Sequence, residues 1–313
     1  MAFAFVFPGQ GSQSVGMLQT LAQAQPIVQQ TFAEASQALG YDLWKLCQEG
    51  PEDQLGSTER TQPAMLAAGV AAWRTWRAQG GTMPSAMAGH SLGEYSALVC
   101  AEALDFATAI DLVRFRGETM QAAVPRGEGA MAAILGLDDA DVVAGCAEAQ
   151  QGEVVEAANF NSPAQVVIAG KRTAVERAIE VLKTKGAKRA VMLPVSVPSH
   201  TSLMRPAAER FAERLRNVAI ATPKVPIYTV DLRVHGSADS IRAALCEQLV
   251  KPVRWTDTVR TILQTGVKTI VECGPGKVLT GLNRRIERDK SINMVAIDDA
   301  ASLQEALQLA VSN

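Results

Sequence analysis

A serine between two glycines is the part of this sequence that most directly indicates chemistry. Ser91 lies between Gly89 and Gly93 in the run AGHSLGEYS at positions 88–96, which matches the pattern G-x-S-x-G. A serine hydroxyl becomes an effective nucleophile when a tight turn presents it to a base and to backbone N–H groups that bind an oxyanion. The pattern therefore predicts a nucleophile elbow with Ser91 at its tip.

The segments on either side of this run distinguish a nucleophile elbow from an ordinary glycine-rich turn. Residues 85–88 (SAMA) predict a short buried strand, and from Glu94 onward apolar residues recur at helical spacing in EYSALVCAEALDFATAIDLV. An elbow requires a strand, a sharp turn and a helix in this order. The flanks therefore favour a catalytic Ser91.

An activated serine needs a general base, and the chain contains three histidines. His90 adjoins the serine and points away from it on the turn, so it is interpreted as structural support. His235 lies in the polar segment DLRVHGSAD and is interpreted as a solvated surface residue. His200 lies in LPVSVPSHTSLM, where two prolines fix the backbone. His200 is therefore the candidate base, against the alternative of a residue that only begins a helix.

The elements that must position these residues alternate between short apolar strands and longer helical segments. Strands are predicted at 3–7, 225–230 and 269–273, with a weaker one at 295–297, and helices through 32–39 and within 62–79. Strands that alternate with helices in this way predict a mainly parallel sheet covered on both faces.

Residues 129–193 follow a different pattern from the rest of the chain. The predicted elements are a strand at 129–135, a helix at 138–149, strands at 154–158 and 165–169, a helix at 173–185 and a strand at 189–193. This βαββαβ order is typical of a ferredoxin-like unit. The sequence therefore predicts an α/β fold, with an α/β-hydrolase-like parallel-sheet large domain (1–125 and 197–313) and an inserted ferredoxin-like small domain (126–196).

The composition excludes several classes of partner. The chain has 313 residues, of which 48% are apolar and 20% are charged, and its formal net charge is -2. A protein that binds nucleic acid needs a basic excess, which this chain lacks. No apolar stretch approaches the roughly 18 residues of a membrane span. No coiled-coil repeat indicates an obligate assembly, so a monomer is expected.

The cysteines and the N-terminal residues indicate a cellular compartment. Five cysteines are widely scattered and none forms a C-x-x-C motif, so neither a disulfide framework nor a metal site is expected. The run MAFAFVFPGQGSQ lacks the basic region of a signal peptide. We therefore expect a cytoplasmic protein.

Two glycine-rich stretches do not fit a nucleotide-binding loop. GPGKVLTG at 274–281 departs from the P-loop spacing and has Val278 where a magnesium-binding hydroxyl is needed. FPGQGSQSVG lacks the glycine positions of G-x-G-x-x-G. No bound cofactor is expected from either stretch.

Seven segments together resemble the malonyl-CoA:acyl carrier protein transacylases of bacterial fatty-acid synthesis. The match runs from end to end and in order: FPGQGSQ (7–13), GHSLGEYSAL (89–98), RGETMQ (116–121), NFNSPAQVVIAG (159–170), VSVPSH (195–200), LVKPVRW (249–255) and ECGPGKVLTGL (272–282). The chain is more similar to the discrete enzymes than to the acyltransferase domains of modular polyketide synthases, whose tetrapeptides before the histidine differ from VPSH.

The resemblance implies a reaction and its two partners, malonyl-CoA and acyl carrier protein. Ser91 would take the malonyl group from coenzyme A as an ester, and His200 would receive the serine proton and later activate the carrier thiol. Arg116, in RGETMQ, would bind the free carboxylate of the malonyl group. The planar guanidinium suits this role, since it can donate two parallel hydrogen bonds to a carboxylate.

Three further roles are implied by the same match. The backbone N–H of Gln10, in PGQGSQ, would join that of Leu92 in an oxyanion hole. The main-chain carbonyl of Gln248 would orient the imidazole of the histidine, so that no third acidic residue is needed. Coenzyme A enters this scheme as part of a substrate and no cofactor is implied.

Other classes of function remain open at this point. A serine thioesterase or esterase of the α/β-hydrolase class would need an acid and then a late histidine after the serine. The suitable pair is Asp231 and His235, which lie too close together on one loop for this role. A patatin-like hydrolase would need an aspartate in a glycine-rich setting, which is not found. A carrier-binding module without activity would not need Ser91, His200 and Arg116 together. A polyketide-type acyltransferase acting in trans is a further alternative.

An acidic carrier protein would dock on a basic surface. Two clusters are candidates, and either is equally well explained as a solvated face: a C-terminal basic cluster (Arg284, Arg285, Arg288 and Lys290) and a small-domain basic cluster (Lys183, Lys185, Lys188 and Arg189).

Overall fold

The computed structural model describes residues 2–195 and 197–311, which form nine strands and fourteen α-helices. The strands are β1 Phe3–Phe7, β2 Ala86–Gly89, β3 Gly129–Leu135, β4 Val155–Ser162, β5 Gln165–Lys171, β6 Arg189–Met192, β7 Ile227–Tyr228, β8 Thr269–Cys273 and β9 Asn293–Ile297. No helix in the described ranges has both the length and the apolar character that crossing a membrane requires.

The helices precede, connect and follow these strands. They are α1 Gln19–Ala24, α2 Ile27–Leu39, α3 Leu43–Glu49, α4 Glu52–Leu55, α5 Thr58–Ala78, α6 Gly93–Cys100, α7 Phe106–Ala123, α8 Asp139–Ala149, α9 Arg172–Thr184, α10 Arg205–Leu215, α11 Ala238–Glu247, α12 Trp255–Gln264, α13 Val278–Ile286 and α14 Ala300–Val311.

Five strands form a parallel sheet in the order β7-β2-β1-β8-β9. The central strand β1 (FAFVF) is buried at every position, as expected for a parallel strand covered on both faces. β1 pairs with β2 in a register that sets Phe7 beside Gly89. The end of the central strand and the start of the predicted elbow are therefore adjacent.

The strand predicted at 225–230 is shorter than expected. β7 covers only Ile227–Tyr228, because Thr229 already begins a turn in which its N–H donates to the Arg233 carbonyl at 2.8 Å. A side-chain hydrogen bond stabilises the same turn, because Thr229 Oγ1 donates to Asp231 Oδ1 at 2.6 Å. The apolar run of the sequence therefore extends beyond the paired strand.

The remaining four strands form an antiparallel sheet in the order β4-β5-β3-β6. This order, with α8 and α9 as the two helices, is the ferredoxin-like arrangement that the sequence predicts. Its core consists of small and β-branched side chains from both helices and the sheet. β3 matches its predicted bounds, and β4 is four residues longer than predicted at its carboxyl end.

The chain divides into two compact units. The larger unit comprises residues 1–117, 218–241 and 258–313, and the smaller unit comprises residues 118–217 and 242–257. The smaller unit contains the whole antiparallel sheet and extends beyond the predicted insertion at 126–196. Residues 242–257 belong to it because Val253 forms a bridge beside β4, with its N–H bonded to Ala158 and its carbonyl to Phe160. Residues 197–217, including His200, also lie in the smaller unit.

Candidate active site

Ser91 lies on a sharp turn between β2 and α6. Its φ is 51°, in the left-handed region that residues with a side chain rarely adopt. The turn is closed by glycines: a Cβ on Gly89 would lie 1.9 Å from the Gly93 carbonyl carbon, and one on Gly93 would lie 2.0 Å from the Phe7 carbonyl oxygen. The strand, turn and helix of the predicted elbow are therefore present, and both glycines of G-x-S-x-G are sterically required.

The loop after β1 packs directly against this elbow. His90 N–H donates to the Phe7 carbonyl at 2.9 Å, and a Cβ on Gly9 would lie 2.4 Å from the His90 carbonyl oxygen. Gln10 follows Gly9 in this loop. The backbone around Gln10 is therefore fixed close to the backbone that carries Ser91.

Leu92 follows the serine and immediately precedes α6. Its side chain is buried, and its φ and ψ of -53° and -35° are already helical. The first N–H groups of a helix lack intrahelical acceptors and carry the positive end of the helix dipole. The Leu92 amide is thus at the terminus of a helix, where an oxyanion would be stabilised.

Arg116 is the charged side chain that contacts the serine. Although it projects from α7, it is only 1% exposed. Its Nη2 donates to Ser91 Oγ at 3.3 Å, and its Nη1 donates to Gln62 Oε1 at 2.9 Å. The guanidinium carbon also lies 5.5 Å from the centre of the Tyr95 ring. Arg116 is therefore a buried cation at the nucleophile and not a surface residue of an amphipathic helix.

Burial and neighbouring groups act in opposite directions on this cation. Burial lowers the pKa of the Arg116 guanidinium, whereas Tyr95 and Glu94 raise it. An arginine stays protonated even so, because its pKa in water lies far above neutrality. The positive charge is costly to bury alone, and a carboxylate placed against it would recover much of that cost. The site beside Ser91 is therefore suited to an acyl group that carries a negative charge.

His200 is held by main-chain contacts in the smaller unit. It is 4% exposed, and its Nδ1 lies 2.8 Å from the Gln248 carbonyl oxygen. A carbonyl oxygen only accepts, so Nδ1 carries the proton and Nε2 is left as the basic nitrogen. The His200 N–H donates to the Leu249 carbonyl at 3.1 Å, and its φ is 63°. Two successive main-chain carbonyls thus fix both the backbone and the ring of this histidine.

The residues after His200 anchor the segment further. Thr201 Oγ1 donates to the Pro198 carbonyl at 2.7 Å. The Glu156 carboxylate, from β4, accepts from Ser202 N–H at 2.9 Å and from Ser202 Oγ at 2.7 Å. A short 3-10 helix, Ser202–Met204, then leads into α10. Proline, threonine and a carboxylate together hold the histidine segment against the antiparallel sheet.

The interpretation of His235 as a solvated surface residue is wrong. His235 is 6% exposed, and its Nε2 lies 2.7 Å from Glu94 Oε1 in the first turn of α6. The turn between Thr229 and Arg233 folds the chain back, and the His235 N–H then donates to the Ile227 carbonyl at 3.0 Å. The polar composition of the segment gave no sign of this return into the interior.

The sequence-predicted residues fall into two groups. The larger unit brings Ser91, Leu92, Gln10 and Arg116 to the elbow, and the smaller unit places His200 on the carbonyl of Gln248.

Sequence reasoning missed two residues that contact the cation. Gln62 and Tyr95 both pack on Arg116. Tyr95 lies in the first turn of the helix predicted after the elbow, and this position close to Ser91 is the signal that could have identified it. Gln62 is a polar side chain at the start of the apolar run QPAMLAAGVAAW, where a buried amide signals a specific partner.

Residues 4–298 match the family described as acyl transferase domain. The malonyl CoA-acyl carrier protein transacylase of Salmonella typhimurium is 56% identical over 306 residues, which cover 97% of this chain and 98% of the relative.

Solved structures of similar proteins have the same fold as this chain. The malonyl CoA-acyl carrier protein transacylase of Coxiella burnetii superposes with a TM-score of 0.96 at 51% identity, covering 98% of this chain and 97% of that one. A malonyl-transacylase solved in complex with a type II PKS acyl-carrier protein has a TM-score of 0.96 at 55% identity, covering 99% and 100%. The protein is thus an acyltransferase that belongs to the family of malonyl CoA-acyl carrier protein transacylases.

Proposed function

We propose that this protein transfers the malonyl group of malonyl-CoA to the phosphopantetheine thiol of acyl carrier protein, through an ester on Ser91. The contact between Arg116 and Ser91 Oγ carries the proposal, since it places a buried positive charge beside the acyl-accepting oxygen. A malonyl group has a free carboxylate for that charge, and an acetyl group has none. The names of the relatives, over almost the whole chain, support the same substrate and carrier.

The first half of the reaction loads the enzyme. In this scheme His200 Nε2 takes the proton of Ser91 Oγ as the oxygen bonds to the thioester carbon. The tetrahedral oxyanion is stabilised by the backbone N–H groups of Gln10 and Leu92. Collapse breaks the carbon–sulfur bond, and the coenzyme A thiolate leaves with the proton from His200. Malonyl-Ser91 results.

The second half repeats these steps with the carrier as nucleophile. His200 removes the proton of the phosphopantetheine thiol, the sulfur attacks the ester carbon, and Ser91 Oγ regains the proton on leaving. The main-chain carbonyl of Gln248 stabilises the positive imidazolium at both stages. The scheme needs no metal and no bound cofactor. We propose fatty-acid synthesis as the role of this transfer, with a polyketide carrier as the alternative.

Intact-mass measurement after mixing with malonyl-CoA tests the covalent step. A stable mass increase of one malonyl group is expected for the natural sequence and none for Ser91→Ala. Adding holo acyl carrier protein should discharge the adduct and yield malonyl-carrier. Rapid release of free malonate would instead indicate a thioesterase, and the absence of both adduct and turnover would indicate a binding module.

We propose the C-terminal basic cluster as the carrier-docking surface. In the small-domain basic cluster, Lys183 pairs with Glu180 at 2.7 Å and Lys185 with Glu148 at 3.0 Å, so two of its four charges are neutralised. In the part of the chain that is described, three cations of the C-terminal basic cluster (Arg284, Arg288 and Lys290) have no carboxylate within ion-pair distance, against two of the small-domain basic cluster (Lys188 and Arg189). An acidic carrier would be attracted more strongly to the unneutralised charges.

Charge reversal in each cluster separates the two surfaces. Arg288→Glu with Lys290→Glu is expected to raise KM for the carrier several-fold and to leave malonyl loading from coenzyme A unchanged. Lys188→Glu with Arg189→Glu reverses the two unpaired charges of the small-domain basic cluster; it is the matched control and should leave KM for the carrier near its original value. An effect of the second pair alone would assign docking to the small-domain basic cluster. Fatty-acid and polyketide carriers tested side by side would separate those two roles.

We also propose that the protein acts in the cytoplasm and as a monomer. Its five cysteines are free thiols in the structure, which suits a reducing compartment. Sedimentation of the purified protein would measure its oligomeric state directly.

A further inference from the structure

A buried ionisable pair that the proposed reaction does not use joins the helix that follows Ser91 to the segment that contains His235. Glu94 Oε1 lies 2.7 Å from His235 Nε2, and both side chains are 1% exposed. Glu94 belongs to the first turn of α6, and its N–H donates to the Ser91 carbonyl at 3.1 Å. A carboxylate buried to this degree needs a compensating charge or complete hydrogen bonding.

The same carboxylate bears on the cation at the nucleophile. Tyr95, the next residue after Glu94, lies beneath the Arg116 guanidinium, and that guanidinium reaches Ser91 Oγ. Burial lowers the pKa of Arg116, while the negative charge of Glu94 helps to raise it. The negative charge of Glu94 therefore attracts the Arg116 guanidinium, which is the same positive charge that the carboxylate of an acyl group would bind.

The charge of the buried group depends on His235. If its imidazole is neutral, the charges of Arg116 and Glu94 cancel, and a malonyl carboxylate brings an uncompensated negative charge into a buried site. If it is an imidazolium, the three side chains carry one net positive charge, which one carboxylate neutralises. A buried site is most stable when its charges sum to zero. The arrangement with an imidazolium at His235 therefore favours a malonyl group over an uncharged acyl group.

We propose that His235 is the counter-charge of Glu94, and that this pair leaves the positive charge of Arg116 available to the carboxylate of the acyl group. His235 is then a specificity-determining residue that acts through Glu94 and does not touch the substrate. The inference rests on the proposed malonyl transfer, because it assumes that the acyl group carries a carboxylate.

A purely structural pair would behave differently. In that case the hydrogen bond would only tie the segment that contains His235 to α6, and any loss would affect all acyl groups equally. The ratio of malonyl to acetyl loading separates the two explanations, because changes in Ser91 positioning or in the base cancel in that ratio. An informative variant must therefore remove the charge of His235 and keep a hydrogen bond to Glu94.

His235→Gln removes the charge and keeps an N–H donor for Glu94. The ratio of malonyl to acetyl loading, measured as kcat/KM from the two coenzyme A thioesters, is expected to fall about tenfold. Adding Glu94→Gln to that variant restores the charge balance and is expected to return the ratio to within about threefold of its original value. An unchanged ratio in folded His235→Gln, or a double variant as poor as the single one, would overturn the proposal.

Two controls keep the outcome interpretable. Glu272→Gln removes another buried carboxylate, one bonded to backbone N–H groups of α13, and should leave the ratio unchanged. Nitrogen-15 NMR of the natural protein at neutral pH should show both ring nitrogens of His235 protonated, and a neutral ring would contradict the proposal without any variant. If Arg116→Ala also failed to change the ratio, the malonyl function itself would be wrong.

Discussion

The two compact units hold their proposed catalytic groups with different kinds of contact. In the larger unit Arg116, which donates to Ser91, depends on side chains, namely the Gln62 amide and the Tyr95 ring. In the smaller unit His200 depends on main-chain carbonyls, because its ring and its N–H bond to those of successive residues. Main-chain contacts survive most substitutions and side-chain contacts do not. The identity of the neighbouring residues should therefore matter more around the nucleophile than around the base.

Charge divides the units in the same way. Among residues 2–195 and 197–311, the buried side chains of the Asp, Glu, Lys and Arg types are Glu94, Arg116 and Glu272, and all three lie in the larger unit. The ferredoxin-like core of the smaller unit is built from apolar side chains. Selectivity and pH dependence of stability are therefore expected to arise in the larger unit, and proton transfer in the smaller one.

The largest effect is expected from removing the base itself. His200→Ala should slow malonyl loading by about 10²- to 10⁴-fold, the usual contribution of a general base, for malonyl and acetyl groups alike. Stopped-flow release of coenzyme A measures the rate. Arg205→Ala, an exposed position five residues later, serves as the matched control. A loss confined to malonyl would place His200 in substrate recognition instead.

Removing the buried cation is expected to act on one substrate only. Arg116→Ala should slow malonyl loading by about 10²-fold, because a carboxylate left unpaired in a buried site costs about 3 kcal/mol or more. Acetyl loading should change much less. Arg114→Ala, on the same helix but partly exposed and paired with Asp111, is the control for a lost arginine. Equal losses for both acyl groups would show that Arg116 does not select the acyl group, and the assignment of selectivity to the larger unit would be wrong.

The third effect concerns the stability of the larger unit. Burial raises the pKa of Glu272 to about 7, although the N–H groups of Leu279 and Thr280 donate to its carboxylate at 3.0 and 2.7 Å. Because the folded state holds this proton more tightly than the unfolded chain, stability contributed by the protonated carboxyl is lost as pH rises toward and through 7.

Urea unfolding at pH 5 and pH 8 measures this loss. Between pH 5 and pH 8 the free energy of unfolding of the natural protein should fall by on the order of 3 kcal/mol more than that of Glu272→Gln, whose amide does not titrate. Glu305→Gln, at an exposed position of α14, should keep the original pH dependence. A natural protein whose pH dependence equals that of Glu272→Gln would contradict the assignment.

The smallest effect is expected at Gln248, because its contact with His200 is made by its main-chain carbonyl. Gln248→Ala keeps the main-chain oxygen that accepts from His200, so kcat should change by less than about threefold, within the range of an ordinary substitution. Gln248→Pro removes the N–H that donates to the Ala244 carbonyl at 2.8 Å and should be far more damaging. A loss in Gln248→Ala comparable to that of His200→Ala would show that the side chain matters.

Local patterns predicted the elements that carry the proposed site. The glycine spacing around Ser91 predicted a turn that the structure contains, and the apolar run GAMAAIL predicted β3 to the residue. Such signals work because burial and backbone sterics act over a few neighbouring positions. The ferredoxin-like arrangement of the antiparallel sheet was predicted from the βαββαβ order of the elements, which is typical of that unit.

Contacts between distant segments were not predictable in this way. Nothing in the composition of DLRVHGSAD indicates that His235 returns to meet Glu94, because the partner lies 141 positions away. The bridge between Val253 and β4, which adds residues 242–257 to the smaller unit, is equally remote from the sequence of the inserted unit. Pairing of this kind depends on the assembled fold.

The left-handed backbone at Ser91 and at His200 has a consequence for any attempt to make this protein more robust. With φ of 51° and 63°, both positions favour glycine over the residues that occupy them. A library screened only for heat resistance should therefore accumulate glycine at these two positions and produce durable but inactive proteins. Screens for improved variants need an activity measurement at every round.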